Sequence, residues 1–305
     1  MQRYIIRRLL WGIVAVIGVS MLIFVATRIS GDATVFLVPA DAHEEDFERA
    51  RREYGLDKPI YVQYAVFVSK AVRGDLGRSW RWRQPAMKLI LERLPATMEL
   101  AVVAACFSIV MSISFGTMCA VKRDSWLDNF GKVFALLGQS MPTFWVGLLL
   151  IMAFAVYIQI LPTSGRVGFR SLILPAITLG WFPVAAQMRI TRSAMLDVLD
   201  SEYIKMARIK GAPETLVIFK HALRNAAIPV VTLMGIQWAH LLGGSVVVET
   251  IFAWPGVGRT MIEAINNRDY TVVQAGALLI SVIFVLINLL VDVMYGVLDP
   301  RIRYQ

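Results

Sequence analysis

Apolar residues occur in long blocks along the chain, separated by connections that contain most of the charged residues. A helix needs about 20 mostly apolar residues to cross a bilayer. Blocks of that kind are Leu9–Ile29, Met98–Val121, Lys132–Ile158, Leu172–Ile190, Ala226–Val248 and Thr271–Leu298. The fourth block is the weakest, because Pro175, Gly180 and Pro183 interrupt it. The pattern predicts an all-α polytopic membrane protein with six transmembrane helices.

The distribution of Lys and Arg indicates the orientation, because basic residues in short loops favour the cytoplasmic side. The amino terminus and the second and fourth connections are basic, whereas the third connection has only Arg166 and Arg170. The basic residues of the second and fourth connections are Lys122, Arg123, Lys132, Arg189, Arg192, Lys205, Arg208, Lys210, Lys220 and Arg224. We therefore expect both termini in the cytoplasm, including the tail with Arg301 and Arg303.

The first connection, Ser30–Pro95, is long enough to cross the membrane regardless of its charge. Asp41–Glu53 predicts a short solvated helix, and turns are expected at Gly55, Asp57 and Pro59 and again at 74–77. Aromatic residues recur through it: Tyr54, Tyr61, Tyr64, Phe67, Trp80 and Trp82. They predict a small extracytoplasmic subdomain, some of whose aromatic side chains rest on the bilayer surface. The expected division is 1–95, a core domain of 96–298 and a tail of 299–305.

Composition supports the membrane interpretation. Of the 305 residues, 57% are hydrophobic and 17% charged, and the net charge is +9. Basic residues beside apolar blocks suit anionic lipid, so no nucleic-acid partner is expected. Cys106 and Cys119 lie about 20 Å apart on one helix, which excludes a disulfide within that helix and predicts inert buried thiols. The histidines, His43, His221 and His240, lack metal-ligand spacing.

The fourth connection, Thr191–Asn225, is too long for a simple turn. Residues 201–208 have helical spacing, with Tyr203, Met206 and Ala207 on one face. Gly211-Ala212-Pro213 interrupts this pattern, and a second amphipathic helix is predicted from Pro213, as its first residue, to Leu223. Two interpretations fit this pattern equally well. One is a rigid elbow that docks on a partner, and the other is an amphipathic hairpin on the membrane surface.

A family resemblance favours docking. Glu202, Ala207 and Gly211, followed by Ile228-Pro229, resemble the EAA loop of bacterial ABC importer permeases, although Tyr203-Ile204 stands where that loop has two alanines. Further motifs resemble the dipeptide/oligopeptide branch of these permeases. They are Tyr54-Gly55-Leu56-Asp57-Lys58-Pro59, Arg73-Gly74-Asp75-Leu76-Gly77, Trp254-Pro255-Gly256-Val257-Gly258-Arg259, Arg268-Asp269-Tyr270, Asp292-Val293 and Asp299-Pro300-Arg301-Ile302-Arg303.

The resemblance implies a type I ABC importer permease fold in a bacterial inner membrane. It implies that the fourth connection contacts an ATPase subunit through Glu202, Tyr203, Met206, Ala207, Arg208, Lys210 and Gly211. Gly211 would permit the sharp turn; for the others, a solvated helix face is the alternative. The implied partners are a second homologous permease, two ATPases that bind ATP and Mg²⁺, and a periplasmic or lipoprotein solute-binding protein. The chain itself would bind no cofactor.

Polar residues inside apolar blocks are candidates for the translocation pathway. Gln139, Ser140, Gln187, Gln237 and His240 are the candidates, with ordinary interhelical hydrogen bonding as the alternative. Hydrogen bonding is the favoured role for Gln274 and Asn288, and Asp292 is expected to pair with an Arg.

No GxxxxGK[ST], HExxH or GxSxG motif occurs, so an enzyme is not expected. Charged residues at mid-membrane depth and inverted repeats, which would indicate a secondary carrier, are also not evident. The resemblance implies import of peptides, with glutathione, nickel complexes or oligosaccharides as alternatives.

Overall fold

The computed structural model describes residues 2–29, 43–53 and 57–298. Some side chains within these ranges, including that of His240, are not described. The described residues are predominantly helical. In chain order the helices are α1 Gln2–Ile29, α2 Glu44–Glu53, α3 Ile60–Val72, α4 Ala86–Val121, α5 Trp126–Ser140, α6 Thr143–Leu150, which continues as a π-helix over Ile151–Tyr157, α7 Arg170–Leu199, α8 Glu202–Ile209, α9 Glu214–Leu216, which continues as a π-helix over Val217–Ala222, α10 Leu223–Ile251, α11 Val257–Asn266 and α12 Tyr270–Leu298.

Within the described residues, α1, α4, α7 and α12 are long and apolar enough to cross a membrane. Two bent pairs qualify as well, α5 with α6 and the stretch 214–227 with 229–235, so the number of spans is four, or six if each pair crosses once. The all-α multi-pass prediction is confirmed. The described part of the predicted external loop holds helices α2 and α3.

The third predicted span is not one straight helix. The axes of α5 and of the following helical stretch differ by 112°. Met141 and Pro142 both have extended backbone, with ψ of 128° and 137°. Met141 precedes a proline, and the helical region is disfavoured for such a residue. The block Lys132–Ile158 therefore folds as a broken or re-entrant pair, and its first helix begins earlier, at Trp126.

The fourth predicted span, α7, is the most buried among α1, α4, α7 and α12, although it was expected to be the weakest candidate. In α7, 78% of the most apolar window is buried, against 11% in α1 and α12. Pro175 and Pro183 lie inside a continuous helix. A membrane helix tolerates proline and glycine where neighbouring helices pack closely on it. The packing is close at Gly180, where an added Cβ would lie 2.9 Å from Phe107 and 3.0 Å from the Ala104 carbonyl oxygen.

The described residues form two compact units. The first combines Met1–Ala96 with Gly256–Gly296. Its core holds Leu89, Ile90, Val257, Val272 and Ala275. Tyr64 and Phe67 of α3 pack on Phe24 of α1, with ring centroids 5.4 and 5.5 Å apart. These two aromatic side chains are thus packed against protein, whereas Tyr61 is exposed.

The expected turns in this unit are present where they are described. Gly74 and Gly77 have φ of +78° and +84°, and the Gly77 N–H donates to the Asp75 carboxylate. Residues 54–56 lie outside the described residues, so the turn at Gly55 and the aromatic Tyr54 do as well. The same applies to residues 41 and 42 of the predicted solvated helix and to the tail 299–305, with Arg301 and Arg303.

The second unit, Thr97–Pro255, is built around α7, which packs against α5, α6 and α10. Small residues allow the approach, since a Cβ on Gly116 of α4 would lie 2.6 Å from the Thr191 Cβ. Cys119 is buried, but Cys106 is exposed, so the prediction of two buried thiols was wrong for Cys106.

Candidate functional site

The fourth connection contains a short helix, α8, fixed to its surroundings by one apolar side chain. Residues 191–199 continue α7, and Ser201 precedes the first residue of α8. Ile204 is fully buried and belongs to a cluster with Met195 of α7 and with Val217 and Ala222. Burying such a side chain contributes about 1.5–3 kcal/mol, enough to fix α8 against α7.

The face of α8 predicted to be apolar is mostly outside this cluster. Tyr203 and Met206 are 46% and 53% exposed, Ile209 is 78% exposed, and Ala207 is half-buried at the cluster edge. The buried contact is made by Ile204, which the sequence analysis did not select. No sequence signal separated Ile204 from its apolar neighbour Tyr203. Exposed Tyr203, Met206 and Ile209 leave an apolar surface that a partner can cover.

Gly211 sets the angle of the turn after α8. Its φ is +76°, and nothing lies within 4 Å of a Cβ placed there. The Gly211 N–H donates to the Arg208 carbonyl and the Ala212 N–H to the Ala207 carbonyl, at 2.9 and 3.2 Å. These bonds satisfy the carbonyls at the end of α8, as a left-handed helix cap does.

The second predicted helix begins within one residue of the predicted start, but it continues into the next helix. Pro213 has extended backbone and lies just before the first helical residue, Glu214, instead of being that residue. The helix does not stop at Leu223; it passes through the π-helical turn into α10. The turn at Gly211 is therefore joined directly to the stretch that continues into α10, one of the two bent candidate spans.

Polar contacts stiffen this elbow. Arg208 donates to both carboxylate oxygens of Glu214, at 3.2 and 2.7 Å, and the Asn225 amide donates to the Tyr203 hydroxyl at 2.9 Å. The hydrogen bond to Glu214 raises the pKa of Arg208. Lys205 pairs with Glu202 at 2.7 Å, and this hydrogen bond raises the pKa of Lys205. Lys210 is exposed.

Four of the five candidate pathway residues, Gln139, Ser140, Gln187 and Gln237, have described side chains. Gln139 and Ser140 donate to carbonyls of their own helix, at Ala135 and Leu136. Gln187 is buried and accepts a 3.1 Å hydrogen bond from Ser112 of α4, the interhelical role given as the alternative. Gln237 is buried, and no described residue hydrogen-bonds its Oε1 atom. The side chain of His240 lies outside the described residues.

Two of the other polar residues of the membrane blocks, Asp292 and Gln274, behave as expected, whereas Asn288 bonds within its own helix instead of between helices. Asp292 pairs with Arg8 at 3.1 Å, which confirms its predicted Arg partner. Gln274 donates to Thr27, and Asn288 to the Phe284 carbonyl oxygen.

Two buried carboxylates of the second unit were missed by the sequence analysis. Glu249 of α10 is fully buried and accepts a 2.7 Å hydrogen bond from Thr97 of α4. Asp128 of α5 is also fully buried and binds Arg192 of α7. A signal existed for Glu249, an acidic residue at the end of an apolar block. Asp128 follows the helix-capping Ser125 by three residues, where an acidic residue is ordinary, so its burial had no signal of its own.

Comparisons with known proteins agree with this architecture. A family described as "Binding-protein-dependent transport system inner membrane component" matches residues 92–304, and a family described as its amino-terminal part matches residues 1–101. The chain is 42% identical over 306 residues to the Glutathione transport system permease protein GsiC of Escherichia coli strain K12, and 41% identical to that of Shigella flexneri serotype 5b. Each alignment covers all of both chains.

A solved structure described as "Crystal structure of an amino acid ABC transporter with histidines" has the same fold, with a TM-score of 0.52 at 15% identity. The match covers 70% of this chain and 94% of that one. The family match spans most of the chain, and the relatives align along their whole length. The chain is therefore a member of the binding-protein-dependent transport system inner membrane components, the permease family of ABC importers, and a transport subunit, not an enzyme.

Proposed function

We propose that this chain forms half of a translocation pathway that imports glutathione or a chemically similar short peptide, driven by ATP hydrolysis in partner subunits. The observation that carries the proposal is the elbow in the fourth connection. Its short helix, α8, is exposed on one side, anchored by Ile204 on the other, and joined through a fixed turn to α10. Such a segment suits the transfer of movement from a soluble motor to membrane helices.

The contact surface for the ATPase is the exposed side of α8. Tyr203, Met206 and Ile209 supply apolar area, and Lys210 supplies positive charge beside it, next to Arg208 in its pair with Glu214. Apolar anchors surrounded by polar residues are the usual composition of a protein interface. Glu202 is 86% exposed beyond its contact with Lys205 and is available to a basic group of the partner.

The remaining partners follow from the membership in the family and from the small number of spans. The described residues supply four to six candidate spans, which we expect to form half of an importer pathway, so we propose a second permease of the same family beside this one. The sequence has no phosphate-binding loop, so we expect ATP and Mg²⁺ to bind to two separate ATPase subunits and not to this chain. A solute-binding protein would deliver the cargo on the opposite side, and both termini of this chain would be cytoplasmic.

Glutathione is the first candidate cargo because the relatives that align over the full length carry that name. The sequence motifs alone favoured peptides in general, and glutathione was one of the alternatives. The two assignments share their chemistry, since glutathione is itself a short peptide with amide and carboxylate groups. Di- and oligopeptides are therefore the second candidate.

The test is uptake by the complete transporter. The chain and the subunits encoded beside it would be purified together and reconstituted into vesicles with the cognate binding protein outside. ATP-dependent uptake of labelled glutathione, competed by unlabelled glutathione more strongly than by a dipeptide, is the expected result. Preferential uptake of dipeptides would overturn the glutathione assignment alone. No ATP-dependent uptake of either peptide would overturn the whole proposal.

A further inference from the structure

The carboxylate of Asp128 is the centre of a charged cluster in the second unit. Its side chain is fully buried at the start of α5. Arg192 of α7 donates to both carboxylate oxygens, at 2.5 and 2.8 Å, and Lys132 donates at 3.0 Å. The Asp124 N–H adds a fourth donor, at 3.1 Å. Two parallel bonds from a guanidinium fix the orientation of both partners more firmly than a single contact does.

Close packing continues this contact along α5. Its buried residues are Asp128, Gly131, Ala135 and Gly138, which lie on one stripe of the helix. A Cβ on Gly138 would lie 2.5 Å from the Cβ of Ala185 in α7, and one on Gly131 would lie 2.7 Å from Met188 Cε. Helices that approach so closely cannot slide past one another without clashes.

The other end of α7 leads to the elbow. Arg192 lies two turns before Leu199, the last residue of α7, and α8 starts three residues later. Met195 lies one turn after Arg192 and packs in the same cluster as Ile204 of α8. Movement of α8 therefore reaches α7 next to the charged cluster.

We propose that Asp128 and Arg192 form a clamp that passes displacement of α8, through α7, to the bent pair of α5 and α6, and thereby sets how much transport each hydrolysed ATP drives. The inference rests on the proposed function, because it assumes that α8 is the site of ATPase contact. Asp128 and Arg192 are positioning residues, and neither needs to touch ATP or cargo. Lys132 also pairs with Asp128, but both residues lie on α5, so this pair does not link α5 to another helix.

The test measures uptake and ATP hydrolysis together in the reconstituted transporter. Asp128→Asn combined with Arg192→Gln is the main variant, because it removes both charges and leaves no unpaired buried ion. The clamp predicts normal assembly and continued ATP hydrolysis, with uptake per ATP lowered by about fivefold or more. Lys132→Gln is the matched control, for which uptake per ATP stays within about twofold of wild type.

The outcomes separate the clamp from a merely structural role. Wild-type uptake per ATP in the double variant would overturn the clamp. An ion pair with only a structural role can be replaced by two neutral side chains without a change in uptake per ATP. If the double variant does not assemble, Arg192→Lys decides, since it keeps the charge but loses the paired geometry. Reduced uptake per ATP at normal assembly then supports the clamp, and an unchanged ratio overturns it. A wild-type complex without ATP-driven uptake would instead refute the proposed function.

Discussion

The guanidinium of Arg208 and the carboxylate of Glu214 form two hydrogen bonds, of 3.2 and 2.7 Å, across the turn at Gly211. The pair joins the end of α8 to the start of the helix that becomes α10. Both side chains are about half exposed, so the pair contributes little to the stability of the chain. Its consequence is geometric, because it limits the angle between two helices joined by a glycine.

Glu214→Gln is expected to weaken coupling without unfolding the protein. An exposed ion pair contributes at most about 1 kcal/mol, so the thermal midpoint should change little. Uptake per ATP should nevertheless fall, because α8 can then pivot at Gly211. Simultaneous assays of uptake and ATP hydrolysis check this. Glu48→Gln, which removes a more exposed pair with Arg52, is the control and should leave the ratio unchanged.

Gly211→Ala tests whether the left-handed turn matters for coupling. A left-handed residue with a Cβ costs about 1–2 kcal/mol, although the site has open space. Gly74→Ala is a matched control, because Gly74 has a φ of +78° and nothing within 4 Å of an added Cβ. Both variants should lose similar stability in denaturant titrations, but only Gly211→Ala should reduce ATP-driven uptake. Equal uptake in the two would remove Gly211 from the coupling mechanism.

Asp269 is expected to be essential for the stability of the first unit. Its buried carboxylate accepts hydrogen bonds from the Ser79 and Thr271 hydroxyls, at 2.5 and 2.7 Å. Asp269→Ala leaves the buried Ser79 hydroxyl without its acceptor, at about 1–3 kcal/mol, whereas the Thr271 hydroxyl keeps the Arg78 carbonyl oxygen as an acceptor. The measurement is the unfolding midpoint in detergent, with Asp57→Asn, an exposed acidic residue, as the control. An unchanged midpoint for Asp269→Ala would show that water replaces the carboxylate.

Gly116→Ala should destabilise the packing of α4 on α7. An added Cβ would lie 2.6 Å from the Thr191 Cβ and 2.9 Å from the Met188 carbonyl oxygen, which cannot move independently of its helix. Overpacking of this kind costs about 1–3 kcal/mol. Thermal unfolding of the detergent-solubilised protein measures it. Gly18→Ala, where nothing lies within 4 Å of the added atom, should behave as wild type.

Much of the architecture could be predicted from the sequence because the bilayer imposes a simple rule on helix length. That rule identified α1, α4 and α12, and the glycine and proline at 211–213 located the turn of the elbow. It failed for α5 and α6 because hydropathy averages over a block and does not register a sharp bend at Pro142. It also undervalued α7, since proline lowers helix propensity while neighbouring helices restore the stability.

The contacts that link helices were less accessible to sequence reasoning. Ile204 and Tyr203 are adjacent apolar positions on α8, and only the position of α7 decides which of them is buried. Asp128 stands at a helix start, where an acidic residue is ordinary, so its partner Arg192 emerges only in three dimensions. Gln187 and Gln237 are both buried amides in apolar blocks, yet only Gln187 has a described partner for its carbonyl oxygen.

The central claim is that α8 faces an ATPase in the cytoplasm. Its most direct test is a cysteine placed at Met206, which is 53% exposed, in a chain with Cys106 and Cys119 replaced by serine. In the assembled transporter we expect this thiol to cross-link to an ATPase subunit and to resist a membrane-impermeant reagent added outside intact cells. Labelling from outside, with no cross-link to the ATPase, would contradict the account.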